Sequence, residues 1–244
     1  MKSKLTLFLL LVLSAIASAQ NSRFWDGIEA FDGPTDSNPI LAAQLDFYFD
    51  KLVAPLPDSI TLEISRLIGR TGENTDLRDF LLWHLLERYR HPNYMTQDQV
   101  FVWLYDQYFS QLEIKDLNET NLALIHDKAE RLRRLALFNI APDIKLNDSF
   151  DLQSIESEYT VLFFYDHDCD LCQLEMQDLD SVCIGRPEIT TLKIDLNSDM
   201  EGLDSLYDAY DIEATPLLYV LDRDKRIVAK KIQAKQILLI ITHE

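Results

Sequence analysis

The chain has 244 residues, a formal net charge of −18 at pH 7, six glycines and three cysteines. The acidic balance argues against nucleic acid and anionic membrane surfaces as partners. So few glycines, with no G-x-x-x-x-G-K and no G-x-G-x-x-G, count against a phosphate-cradling loop.

Residues 1–19 read as a secretory signal peptide. Lys2 and Lys4 make a basic start, and Leu5 to Ala17 is an apolar run too short to favour a spanning helix. Ala17-Ser18-Ala19 supplies the small residues of a cleavage site before Gln20. Export to the periplasm or beyond is therefore expected. Position 20 is not Cys, so lipid attachment is not indicated.

From about Phe24 to Phe138 the pattern is helical. Asn38-Pro39 opens one helix, with Asn as cap and Pro at the first position. Leu41, Leu45, Tyr48, Phe49 and Leu52 follow helical spacing. A second helix is predicted from near Asp58 to Gly69, and a third from Thr75 to Arg90, ended by His91-Pro92-Asn93. Thr96-Gln-Asp-Gln99 predicts a capping box for a fourth. A fifth is expected over Glu119 to Leu137. Trp83 and Trp103 are expected in the core. His84, His91 and His126 lie singly, without paired ligand spacing, and read as packing or capping residues. Asn118-Glu-Thr120 matches a glycosylation acceptor, a signal of little weight by itself.

The pattern changes at Asn139-Ile-Ala-Pro142-Asp143. Segments around Ile144 and Phe150 flank Asn147-Asp-Ser149 and read as a hairpin. Thr160–Tyr165 is continuous and apolar, as expected of a strand covered on both faces. A helix should follow from Asp170, then a strand over Ile189–Asp195 and a helix over Gly202–Tyr210. Leu217–Leu221 and Ile227–Ile232 form a predicted hairpin, and Ala234–Thr242 a last helix. This order predicts a central mixed sheet with helices on both faces, preceded by an all-α region. The expected division is a helical domain over residues 20–138 and an α/β domain over 139–244.

Chemistry concentrates at Cys169-Asp-Leu-Cys172, where the Thr160–Tyr165 strand gives way to a helix. A helix start offers unpaired amides and partial positive charge, both of which stabilise a thiolate. Cys169 is thus the candidate nucleophile of disulfide exchange. Cys172, one turn on, can resolve the mixed disulfide. Two other readings of a C-x-x-C stay open. It can be part of a metal site, with His167 within reach, although a fourth ligand is missing. It can also be a static disulfide, whose short loop adds little stability. Cys183 reads as a packed small hydrophobe or a second resolving thiol.

With Ala141-Pro142-Asp143, the strand into Cys169-Asp-Leu-Cys172, Glu175, Tyr210-Asp-Ile-Glu-Ala-Thr-Pro216 and Leu221-Asp-Arg-Asp-Lys-Arg-Ile227, the second half resembles a known family. This is the exported thioredoxin-like oxidoreductases, in the branch related to cytochrome c maturation reductases. The resemblance covers about Asn139 to Glu244. It implies a thioredoxin-like fold and a cis peptide before Pro216. It also implies a substrate groove shaped by Thr215 and Pro216, and a proton-relay role for Glu175 toward the second cysteine. Departures are evident: Asp168 replaces the usual Trp, Asp170-Leu171 stand between the cysteines, and Gln177 replaces a common proline. Asp166 also stands where a peroxiredoxin motif wants Thr. Asp166, Asp168 and Asp170 are expected to oppose a thiolate at Cys169 and make the site a poorer oxidant. The first half, through Phe80-Leu-Leu-Trp-His84, Tyr89 and Gln99-Val-Phe-Val-Trp103, resembles an uncharacterised helical domain. That domain precedes thioredoxin domains in exported proteins of gut and environmental bacteria.

The resulting expectation is an exported thiol–disulfide oxidoreductase working on protein disulfides or thiols as reductant. It needs no dissociable cofactor and no metal, binds no nucleic acid, and is recharged by an upstream membrane electron donor. The alternative is a partner-binding module that uses the thioredoxin-like half as scaffold.

Overall fold

The structure, a computed structural model, describes residues 24–26, 38–147, 150–198 and 203–242. The expected signal peptide lies outside the described residues. No helix among the described residues is long and apolar enough to cross a membrane. The chain divides into two compact units, with the boundary between Arg88 and Tyr89.

The first unit is helical. Helix α1 spans Pro39–Lys51, α2 Pro57–Arg70, and α3 Thr75–Arg90, whose last residues pass into the second unit. Asn38 caps α1 by accepting the Leu41 N–H at 3.0 Å, and Pro39 takes the first helical position, where its missing N–H costs nothing. Leu41, Leu45, Tyr48 and Phe49 are the buried stripe. Trp25 stacks edge-on against Tyr48 at 4.8 Å, and the Tyr48 hydroxyl donates to Glu63 Oε2 at 2.8 Å. His84 pairs with Asp46 at 3.1 Å, a packing role of the expected kind.

The second unit begins with more helix. Helix α4 spans Asp98–Leu104 and runs into a π-helical turn, Tyr105–Phe109, and α5 spans Glu119–Arg134. The expected capping box of α4 does not form. Gln97 stands at the cap without a side-chain bond, and the Gln99 side-chain amide lies 3.4 Å from Asp98 Oδ1, whose carboxylate turns inward to meet Lys230. The Asn118 side chain instead caps α5, accepting the Asn121 N–H at 2.8 Å. Trp83 and Trp103 are half-buried, in contrast to the expectation that both sit in the core. Smaller apolar residues fill those interiors: Leu81, Leu82 and Leu85 around the former, Val102 and Leu104 around the latter.

A short antiparallel pair follows, β1 (Lys145–Asn147) and β2 (Phe150–Asp151), with its tip outside the described residues. The main sheet is built from β3 (Tyr159–Tyr165), β4 (Ile189–Asp195), β5 (Leu217–Leu221) and β6 (Ile227–Lys230). Its order is β4-β3-β5-β6. Strand β3 is parallel to β4 and antiparallel to β5, and β5 is antiparallel to β6. Helix α6 (Asp170–Cys183) joins β3 to β4, and α7 (Leu203–Tyr210) precedes β5.

Alternation along β3 explains why the sheet is covered twice. Leu162 and Phe164 pack on one face with Tyr210 and Tyr219. Val161 and Phe163 pack on the other with Leu179, Val220 and Ile237. Each fully buried Phe contributes roughly 1.5–3 kcal/mol of transfer free energy. Residues 138–141 run along the far edge of β6, where Phe138 N–H donates to Ile227 O at 2.8 Å and Ile227 N–H to Asn139 O at 2.9 Å. That covers an edge otherwise open to pairing. Strand β6 stops at Lys230, and the predicted last helix splits into a 3-10 turn, Ala234–Gln236, and α8, Ile237–Ile241.

The compact units divide well upstream of Asn139, where the sequence pattern changes. The physical reason is two buried ionic contacts. Lys230 on β6 donates to Asp98 on α4 and, at 2.5 Å, to Leu135 O after α5. Lys128 on α5 donates to both oxygens of Asp211, at 2.7 and 2.9 Å. Helices α4 and α5 thus pack with the sheet.

Candidate active site

Strand β3 delivers the chain to the site. After Tyr165, Asp166 Oδ1 accepts the Asp168 N–H at 2.8 Å and the Asn197 side-chain amide at 2.7 Å, which folds the turn. Cys169 N–H donates to Asp166 O at 3.2 Å, and Cys169 then caps α6. Its Sγ accepts the Cys172 N–H at 3.2 Å. Sulfur here does what an N-cap oxygen usually does, satisfying an orphan amide of the first turn. Cys169 is half-buried, Cys172 is fully buried, and all three cysteines are free thiols.

The two thiols are shifted in opposite directions. The Cys172 thiol, the Cys172 amide and the Leu171 amide hold Cys169 below the ordinary thiol range, against burial and the Asp166 charge. Burial pushes Cys172 up, and the hydrogen bond it gives to Cys169 adds to this. The Thr215 side chain reaches the Cys172 sulfur and opposes the rise. Asp166 disfavours the thiolate, the direction expected of a nearby carboxylate, but donors in direct contact with the sulfur outweigh a carboxylate already engaged by Asp168 and Asn197.

The Thr215–Pro216 peptide is cis. Thr215, Pro216, Leu171 and Glu175 line one groove of about 420 Å³, joined by His91 and Lys231. Neither cysteine lines it, but Leu171, between them in sequence, does. Leu171 and Leu174 are each 60% exposed, leaving apolar surface beside the thiols. Glu175 is half-buried, and its Oε1 accepts the Ala234 N–H, tying α6 to the turn before α8.

Residues beyond the expected set also take part. Parallel register sets Tyr165 beside Asp195, and this brings Asp195 to His167, whose Nδ1 lies 3.1 Å from Asp195 Oδ2. That hydrogen bond, then the Asp168 charge, raises the His167 pKa. His91 enters the groove beside Glu213, at 3.1 Å. His126 meets the Tyr105 hydroxyl at 2.9 Å, away from the groove-lining residues. Cys183 ends α6, half-buried, with its thiol pushed up by burial. Among the described residues, no group of three or more His, Cys, Asp or Glu converges as metal ligands.

A thioredoxin-like protein from Bacteroides caccae has a solved structure that matches 90% of this chain and 90% of its own, with a TM-score of 0.68 and 17% identity. The fold is thioredoxin-like. An N-terminal helical region is added to it, and the match is long enough to include that region. Two further solved structures match less than half of the chain. A domain of a possible thiol-disulfide isomerase from Cytophaga hutchinsonii is 28% identical over 45% of this chain and 92% of its own, with a TM-score of 0.38. The thioredoxin domain of a thiol-disulfide oxidoreductase from Bacteroides vulgatus is 17% identical over 45% and 97%, with a TM-score of 0.39. No family model matches the chain, and no curated protein does.

Proposed function

We propose that the protein is an exported thiol–disulfide oxidoreductase that reduces disulfides in other proteins through Cys169 and Cys172. The observation that carries this reading is the opposed pair of thiols at the start of α6. One is accessible and favoured as thiolate, and the other is buried and held protonated. The Cys169 thiolate attacks one sulfur of a client disulfide, forming a mixed disulfide and releasing the first client thiolate. Cys172 then loses its proton and attacks the Cys169 sulfur. That step releases the second client thiolate and leaves a Cys169–Cys172 disulfide. Two electrons pass to the client, and a dithiol donor, proposed to be membrane-bound, restores them.

Thr215 and Pro216 shape the groove for the client chain. Leu171 and Leu174 add apolar contact. Glu175 is the proposed carrier of the Cys172 proton. The burial that disfavours a second thiolate, at Cys172, supports the reducing direction. Catalysis is assigned to residues 139–244, and export to the leader over residues 1–19.

The test is insulin reduction by the wild type and by Cys169→Ser. The wild type should turn over and the variant should not. Cys172→Ser should accumulate client proteins as mixed disulfides on Cys169. Equal, negligible turnover of wild type and Cys169→Ser would favour the partner-binding module instead.

A further inference from the structure

The loop that leads from α7 into β5 carries both Asp211 and the Thr215–Pro216 pair. It is held from outside the sheet. Asp211 has a left-handed backbone, φ +52°, and a side chain with no exposure. A carboxylate buried this deeply persists only when it is paired. Lys128 of α5 donates to both carboxylate oxygens, and Lys231, just past β6, adds a contact at 3.0 Å. Lys231 and Lys128 hold the Asp211 carboxyl below its usual range, against the cost of burial.

The same ammonium reaches further along the loop. Lys128 Nζ donates to Glu213 Oε1 at 2.8 Å, while His91 lies 3.1 Å from Glu213 Oε2. Lys128 is itself only 4% exposed. One buried cation on α5 therefore fixes two points of the loop, Asp211 and Glu213, immediately before the groove residues Thr215 and Pro216. Lys128 does not line that groove, whereas Glu213 and His91 do.

We infer that Lys128 is a positioning residue for the client-binding groove, and that the helical segment carrying it sets the geometry with which a polypeptide disulfide is presented to Cys169. This rests on the oxidoreductase reading given above. A small disulfide that needs no extended groove should be indifferent to Lys128, and a polypeptide substrate should not. Misplacing a binding element by about 1 Å is enough to cost up to roughly 100-fold.

The experiment compares insulin with bis(2-hydroxyethyl) disulfide as substrates, with dithiothreitol as electron donor. Wild type, Lys128→Met, Lys128→Arg and Glu213→Gln are assayed, with folding checked by circular dichroism. Lys128→Met should raise KM for insulin about tenfold, a loss of about 1.4 kcal/mol, with kcat within about twofold. Turnover of the small disulfide should stay within about twofold, and Lys128→Arg should restore most of the insulin KM. Glu213→Gln leaves the Asp211 pair intact, so it reports on the second anchor even if Lys128→Met misfolds. It should raise the insulin KM as well. An unchanged insulin KM in the folded variants, or equal losses on both substrates, would overturn the inference while leaving the oxidoreductase reading intact. A wild type that reduces neither substrate would overturn both.

Discussion

Asp98 and Lys230 make a buried ion pair whose removal has a calculable consequence. Their side chains are 2% and 1% exposed, and Lys230 also donates to Leu135 O. Changing Asp98 to Asn keeps the shape but leaves an ammonium buried without its counter-charge. Breaking such a pair costs about 3–5 kcal/mol. At about 2–4 °C per kcal/mol for a chain of this size, a 3 kcal/mol loss lowers Tm by about 6–12 °C. The pH dependence carries a definite sign. Burial holds the Lys230 pKa below that of free lysine, and Asp98 is the main influence raising it. Without Asp98 it falls further. Wherever the unfolded chain binds more protons than the folded one, stability rises with pH. The deficit of Asp98→Asn relative to wild type therefore shrinks as pH rises toward the ordinary lysine value. Urea titrations followed by circular dichroism, run from pH 7 to about pH 9.5, measure this directly. An Asp98→Leu/Lys230→Met double variant should recover at least half of the loss, because an apolar pair of similar volume replaces a buried charge pair at little cost. The reasoning fails if the single variant loses less than about 1 kcal/mol, if its deficit grows with pH, or if the double variant is no better.

Three further outcomes are expected. Iodoacetamide at pH 7 should modify Cys169 at least about tenfold faster than Cys172, with the Cys169 rate rising at a pH below the ordinary thiol range. Peptide mapping of the labelled protein checks this, and comparable labelling of both would contradict the opposed shifts. Asp166→Asn keeps its acceptor oxygen but removes the charge that disfavours the thiolate, so Cys169 alkylation should accelerate by about two- to threefold at pH 7. A slower rate would show that the turn geometry, and not the charge, controls the sulfur. Glu175→Gln preserves an acceptor for the Ala234 N–H and should cost under about 0.5 kcal/mol, whereas Glu175→Ala orphans that amide and should cost about 1–2 kcal/mol. If Glu175 also carries the Cys172 proton, Glu175→Gln slows the release of mixed disulfides in stopped-flow assays while stability holds.

Much of the fold could be read along the chain because its signals are local. The apolar run at β3, the Asn38-Pro39 start of α1 and the helix after Cys169 each depend on residues within one or two turns of each other. Where the chain departs from the local pattern, the reason is a competing partner. Thr96-Gln-Asp-Gln99 has the composition of a capping box, but the Gln99 side-chain amide lies 3.4 Å from Asp98 Oδ1, and Asp98 itself serves a partner 132 residues away.

The candidate site divides in the same way. Cys169, Cys172, Thr215 and Pro216 announce themselves by spacing and by residue type, and the helix start whose amides lower Cys169 follows from the local pattern, whereas the burial that raises Cys172 does not. The sequence alone therefore determined the fold class and the place of the thiols. Only the tertiary structure chose which of 41 acidic residues each buried cation meets. It set Lys128 against Asp211 and Lys230 against Asp98. The physical reason is one of range. Periodicity and capping are satisfied by neighbours along the chain, whereas pairing a buried charge depends on which distant segments the core has already brought into contact.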